Sequence, residues 1–120
     1  MKLTVSKVQS SLGSRKYCEL SISKSNGKRI LLDECVASTK LAVALLKSQY
    51  VVVFLGKKVQ DDRIVTYLNK SENSNLILVT KDYELDSRLS YSQSLLLTGK
   101  SLKENLHLIK KFTESTLKNI

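Results

Sequence analysis

Proline is absent from the 120 residues, so no proline-rich linker divides the chain, and its length suits one compact domain with a single core. Cysteine and histidine are nearly absent too. Cys18 and Cys35 lie far apart and form no CxxC pair, and His107 is the one histidine, so a zinc site of the Cys/His kind cannot be assembled within one chain. Long apolar runs are also lacking. The longest, such as residues 50–55, fall far short of the ~18 residues that a membrane span needs, and residues 1–20 hold no continuous apolar segment suited to a signal peptide. A soluble, cytoplasmic protein with no membrane partner is expected. With 42% hydrophobic and 26% charged residues, the composition is that of an ordinary folded domain.

Acids are scarce against bases: 11 Asp and Glu face 20 Lys and Arg, a net charge of +9. Residues 1–32 hold seven basic side chains and one acid, residues 100–120 five and two, and residues 33–99 eight of each. Basic ends around a neutral middle can steer a polyanion, of which nucleic acid is the commonest in a cytoplasm, although a lysine-rich solubilising surface has the same composition.

The chain changes texture at the polar Asn26-Gly27 stretch, which reads as a loop. Before it, Leu3, Val5 and Val8, then Cys18, Leu20 and Ile22, alternate with polar residues. That pattern predicts an N-terminal β-hairpin arm, residues 1–28, appended to a sheet or used to form a homodimer. After it, residues 29–120 alternate short apolar runs with helical patterns. Strands are expected at 30–32, 51–54, 76–79 and 95–97, and helices at 39–47, from 61 to 69, and from a Ser101/Glu104 capping box onward. Alternation of this kind predicts an α/β three-layer sandwich with a mainly parallel central sheet, whose chemistry gathers at the carboxyl ends of the strands.

Seven of the eleven acids fall in three clusters: Asp33-Glu34, Asp61-Asp62, and Asp82 with Glu84 and Asp86. Asp33 follows the first expected parallel strand, Asp82 follows the third, and Asp61 opens the helix after the second, so all three positions belong to one sheet edge. Converging carboxylates repel, and a hard divalent cation such as Mg²⁺ or Mn²⁺ relieves the repulsion through oxygen ligands. Such an ion can activate water against a phosphodiester. Each cluster alone has a structural explanation as a helix cap, a dipole-favoured helix start or a solvated turn. Other chemistries fare worse. Thr98-Gly99-Lys100-Ser101 ends like a phosphate loop, but Ser94 stands where the opening glycine is needed. A Ser or Cys nucleophile has only His107 as a candidate base. The five tyrosines lack the spacing of a base-stacking platform, although Tyr83 lies inside the third acidic cluster.

The segments Arg29-Ile-Leu-Leu-Asp33-Glu34-Cys35-Val36, Asp61-Asp62-Arg-Ile64 and Leu78-Val-Thr80-Lys81-Asp82 are similar in order and spacing to motifs of the small PIN-like proteins. That family is a divergent branch of the PIN-domain nucleases and includes presumed toxins of toxin–antitoxin pairs. The resemblance spans residues 29–115. It implies a PIN-like fold, metal-dependent endoribonuclease activity with RNA as substrate, and an antitoxin protein as partner. It further implies that Asp33, Asp61 and Asp82 are catalytic and hold Mg²⁺ or Mn²⁺, with Asp62, Glu84 and Asp86 as further candidate ligands. Thr80 would orient Asp82, and Lys81, Lys57 and Lys58 would meet substrate phosphate. Cys35 stands where the family has Asn, and Glu84-Leu85 replaces an Asp-Phe pair. The alternative is a PIN-like module that binds nucleic acid or protein without cleaving.

Overall fold

Apolar residues occupy both parities of the runs 30–32, 51–53 and 76–79, and a strand of that kind must be covered on both faces. The computed structural model covers them so. It describes residues 3–9, 16–22, 28–33, 35–54, 60–70, 75–89 and 93–117, of which 3–9, 16–22, 116 and 117 are described by their backbone alone. In chain order the elements are β1 (Leu3–Gln9), β2 (Lys16–Ile22), β3 (Arg29–Leu32), α1 (Thr39–Lys47), β4 (Val51–Phe54), α2 (Asp61–Leu68), β5 (Leu76–Thr80), α3 (Tyr83–Ser87), β6 (Ser94–Leu96) and α4 (Leu102–Leu117).

The sheet order is β1-β2-β4-β3-β5-β6. β4, β3, β5 and β6 are parallel, with Ile30 set between Val52 and Ile77, and Val79 opposite Leu95. The backbone of β2 runs antiparallel along β4, and that of β1 antiparallel along β2. The side chains of Leu3, Val5, Val8, Cys18, Leu20 and Ile22 lie outside the described residues, and with them the expected self-association through the arm.

Side chains of successive strand residues point to opposite faces, and the two faces have separate cores. Ile30, Leu32, Val52, Ile77, Val79 and Leu97 pack under Leu41, Ala42, Leu45 and Leu46 of α1 and Ile109 of α4. Leu31, Val51, Val53, Leu76 and Leu78 pack under Ile64, Tyr67 and Leu68 of α2 and Leu85 of α3. The result is a three-layer α/β sandwich. Its parallel connections leave β3 in one direction, toward β4, and return across it to β5. Right-handed crossovers that reverse direction put their helices on opposite faces, as α1 and α2 are here. The reversal between β3 and β5 opens a crevice at their carboxyl ends, where parallel sheets take their ligands.

Several boundaries differ from expectation by one residue: β3 begins at Arg29, β5 runs to Thr80 and α2 ends at Leu68. β6 begins at Ser94, whose Oγ donates to Asp86 Oδ1 at 2.6 Å, and Leu97 leaves the strand after its N–H has bonded to Thr80 O at 2.8 Å. α3, which no sequence pattern announced, is a short turn of helix between β5 and β6. No helix among the described residues is long and apolar enough to cross a membrane.

Candidate functional site

Asp33 extends β3 by one ladder bond, its N–H donating to Val79 O at 3.0 Å, and its carbonyl then accepts from the N–H groups of Val36 and Ala37. The chain turns there toward α1, leaving the Asp33 carboxylate at the mouth of the crevice. Asp33 Oδ2 accepts from Thr80 Oγ1 at 2.7 Å and from Cys35 Sγ at 3.2 Å. Thr80 ends β5 and is fully buried. Its hydroxyl oxygen also accepts from the Asp82 N–H at 2.9 Å, while the Lys81 N–H approaches Cys35 Sγ at 3.4 Å. One hydroxyl thus ties the exits of β3 and β5 together, and the thiol of Cys35 reinforces the tie.

Asp82 caps α3: its Oδ1 accepts from the N–H groups of Glu84 at 3.0 Å and Leu85 at 3.2 Å. Short polar acceptors at this position satisfy amide groups that a helix start leaves bare, and Oδ2 has no partner among the described residues. Asp61 opens α2, the helix that follows β4. Its carboxyl is held above the usual aspartate range, first by partial burial, then by the charges of Asp82 and Asp33, with Arg88 opposing. Asp33 and Asp82 follow the ends of β3 and β5, and Asp61 opens the helix after β4, so all three positions belong to the carboxyl edge of the parallel sheet.

The remaining candidates point elsewhere or stand apart. Asp62 pairs with Arg88 Nη2 at 2.5 Å on the surface, and Asp86 accepts from Ser94 Oγ and so joins α3 to β6. Glu84 is exposed in the first turn of α3. Thr80 contacts Asp82 through the backbone N–H rather than the carboxylate. Lys81 is exposed beside Cys35. Lys57 and Lys58, like Glu34, lie outside the described residues. Arg88 belongs to the site although no sequence signal marked it, since it reaches Asp62 across 26 residues, whereas Cys35, at the motif position where the resembled family has Asn, acts through a thiol rather than an amide.

The donor set is all carboxylate oxygen, which suits a hard divalent cation best. Among the described residues, however, no three His, Cys, Asp or Glu side chains are gathered closely enough to hold a metal ion. The donors fit Mg²⁺ or Mn²⁺ in kind, and in this arrangement they are not closed around one. Searches against family models, curated proteins and solved structures match this chain to none.

Proposed function

We propose that this edge is the site of a PIN-like, metal-dependent endoribonuclease in which Asp33, Asp61 and Asp82 hold Mg²⁺ or Mn²⁺. The supporting observation is the geometry of the edge: the Thr80 hydroxyl bonds both the Asp33 carboxylate and the Asp82 N–H where β3 and β5 end, and Asp61 opens the helix that follows the neighbouring strand β4. A bound cation supplies an activated water and charge neutralisation for phosphodiester hydrolysis. The chain's own groups do the rest. Thr80 fixes Asp33, the α3 cap fixes Asp82, and the basic chain attracts the RNA backbone that three carboxylates would repel. Tyr83, 71% exposed immediately beyond Asp82, offers an aromatic face to a nucleobase. An antitoxin protein that covers this edge is the partner this reading implies.

A second reading, a nucleic-acid-binding or protein-interaction module without cleavage, draws on the structural employment of Asp82 as the α3 cap and of Asp33 as the Thr80 acceptor. One experiment separates them. A mixed RNA pool is incubated with Mn²⁺ and the wild type, Asp33→Asn or Asp61→Asn, and Mn²⁺ binding is followed by calorimetry. The nuclease reading expects metal-dependent cleavage and metal binding that both substitutions remove. Absence of both in the wild type leaves the non-cleaving module.

A further inference from the structure

Beside the carboxylates, on the face that carries α1 and α4, lies a pocket of about 310 Å³. Three exposed lysines from three segments line it: Lys40 in the first turn of α1, Lys81 just beyond β5 and Lys100 just ahead of α4. None of the described residues that line it is acidic, so the concavity carries charge of one sign. Three ammonium groups around one concavity repel each other, and an anion between them removes that repulsion.

The walls strengthen the preference. Ser38 lines the pocket at the N-cap of α1, and α1 has no acid in its first turn, so the positive end of its dipole is unanswered by its own helix. α4 differs: Glu104 accepts from the Lys100 N–H at 2.9 Å and already places a carboxylate at that helix start. The attraction for an anion therefore comes from the lysines and α1. The volume exceeds that of a bare phosphate and has room for an attached sugar. Cys35 lines the pocket, donates to Asp33 Oδ2 and meets the Lys81 N–H, which makes the pocket and the carboxylates neighbours along one edge.

We infer that Lys40, Lys81 and Lys100 form a subsite for a nucleotide phosphate next to the one presented to Asp33. The inference rests on the reading of this edge as an RNA site, and it adds the register in which the strand lies: across β3 toward the α1–α4 face.

The test measures binding of a short, labelled single-stranded RNA to the full chain in EDTA by fluorescence anisotropy, with 5′-phosphate and 5′-hydroxyl versions of one sequence. The double variant Lys40→Gln/Lys100→Gln removes two pocket charges at exposed positions. It is compared with Lys47→Gln/Lys110→Gln, which removes the same charge from a cleft at the opposite sheet edge. The pocket pair should weaken binding about tenfold at low salt and flatten the slope of log K against log salt by about 1.4, roughly 0.7 per lost phosphate contact. The control pair should change affinity less than twofold. A wild-type preference for the 5′-phosphate that the pocket pair abolishes assigns a terminal phosphate, and equal affinity for both RNAs assigns an internal one. Unchanged binding by the pocket pair, or equal losses in both pairs, overturns the inference. Because cleavage is not read, pocket-dependent binding by a chain that never cleaves leaves the subsite standing and ends the nuclease reading, whereas cleavage without pocket-dependent binding does the reverse.

Discussion

The Thr80 hydroxyl has a single hydrogen, which it gives to Asp33 Oδ2, and it accepts from the Asp82 N–H. Thr80→Val keeps the shape of the side chain and breaks both bonds inside a buried position, so it should cost about 1–3 kcal/mol of stability in urea unfolding. Thr80→Ser, which keeps the hydroxyl, should recover more than half of that loss. Asp61 carries a different kind of strain. Burial and the charges of Asp82 and Asp33 raise its pKa despite the favourable dipole of α2. The folded chain therefore holds this proton more tightly than the unfolded one does. Stability from this group is fullest below the ordinary aspartate pKa of about 3.9 and falls as pH rises through the folded value. The stability of Asp61→Asn relative to wild type should accordingly increase between about pH 3.5 and pH 7. A difference that stays flat over that range would remove the repulsion from the account.

At the scale of elements, α1 ends in a hydrogen-bonding pattern that usually recruits glycine. The Gln49 N–H donates to Leu46 O at 2.9 Å and the Tyr50 N–H to Leu45 O at 3.1 Å, the paired bonds of a Schellman cap. Gln49 takes the left-handed conformation that the motif demands, at φ 73°. A side chain there costs roughly 1 kcal/mol, so Gln49→Gly should raise stability by about 0.5–1 kcal/mol in the same unfolding measurement. Tyr50, the next residue, is buried and bonds Thr113 Oγ1 at 2.7 Å, which locks this cap to α4. Most elements could be read from the sequence for a physical reason. β3, β4 and β5 are covered on both faces and so appear as unbroken apolar runs, and α1 and α2 show one apolar stripe each. α3 could not be read. Five residues are too few to show a helical period, and with Leu85 its one buried side chain, the segment looks like nothing more than a cluster of acids.

Over the whole molecule, chain order alone indicated that Asp33, Asp61 and Asp82 belong to one edge, because a parallel sheet places every strand exit on the same side. What each carboxylate does there depends on partners distant in sequence, such as Thr80 at 47 residues from Asp33, and no local pattern encodes those. A ligand that binds only the folded chain stabilises all of it, which gives the proposed metal a readout independent of cleavage. At a cation concentration 100 times Kd the gain is about 2.7 kcal/mol, on the order of 10 °C in Tm for a domain of this size. Thermal unfolding of the wild type should shift upward by that order as Mn²⁺ is raised through the millimolar range, and Asp33→Asn and Asp61→Asn should lose the shift. Asp82 separates its two roles. Asn caps a helix about as well as Asp, so Asp82→Asn should keep the metal-free Tm and lose the response to Mn²⁺. Asp82→Ala should lose the response and also about 1 kcal/mol of metal-free stability through the bared start of α3. A Tm that responds equally in wild type and Asp82→Asn would show that the cation acts elsewhere on the chain, and a Tm that never responds would leave Asp82 with its cap alone.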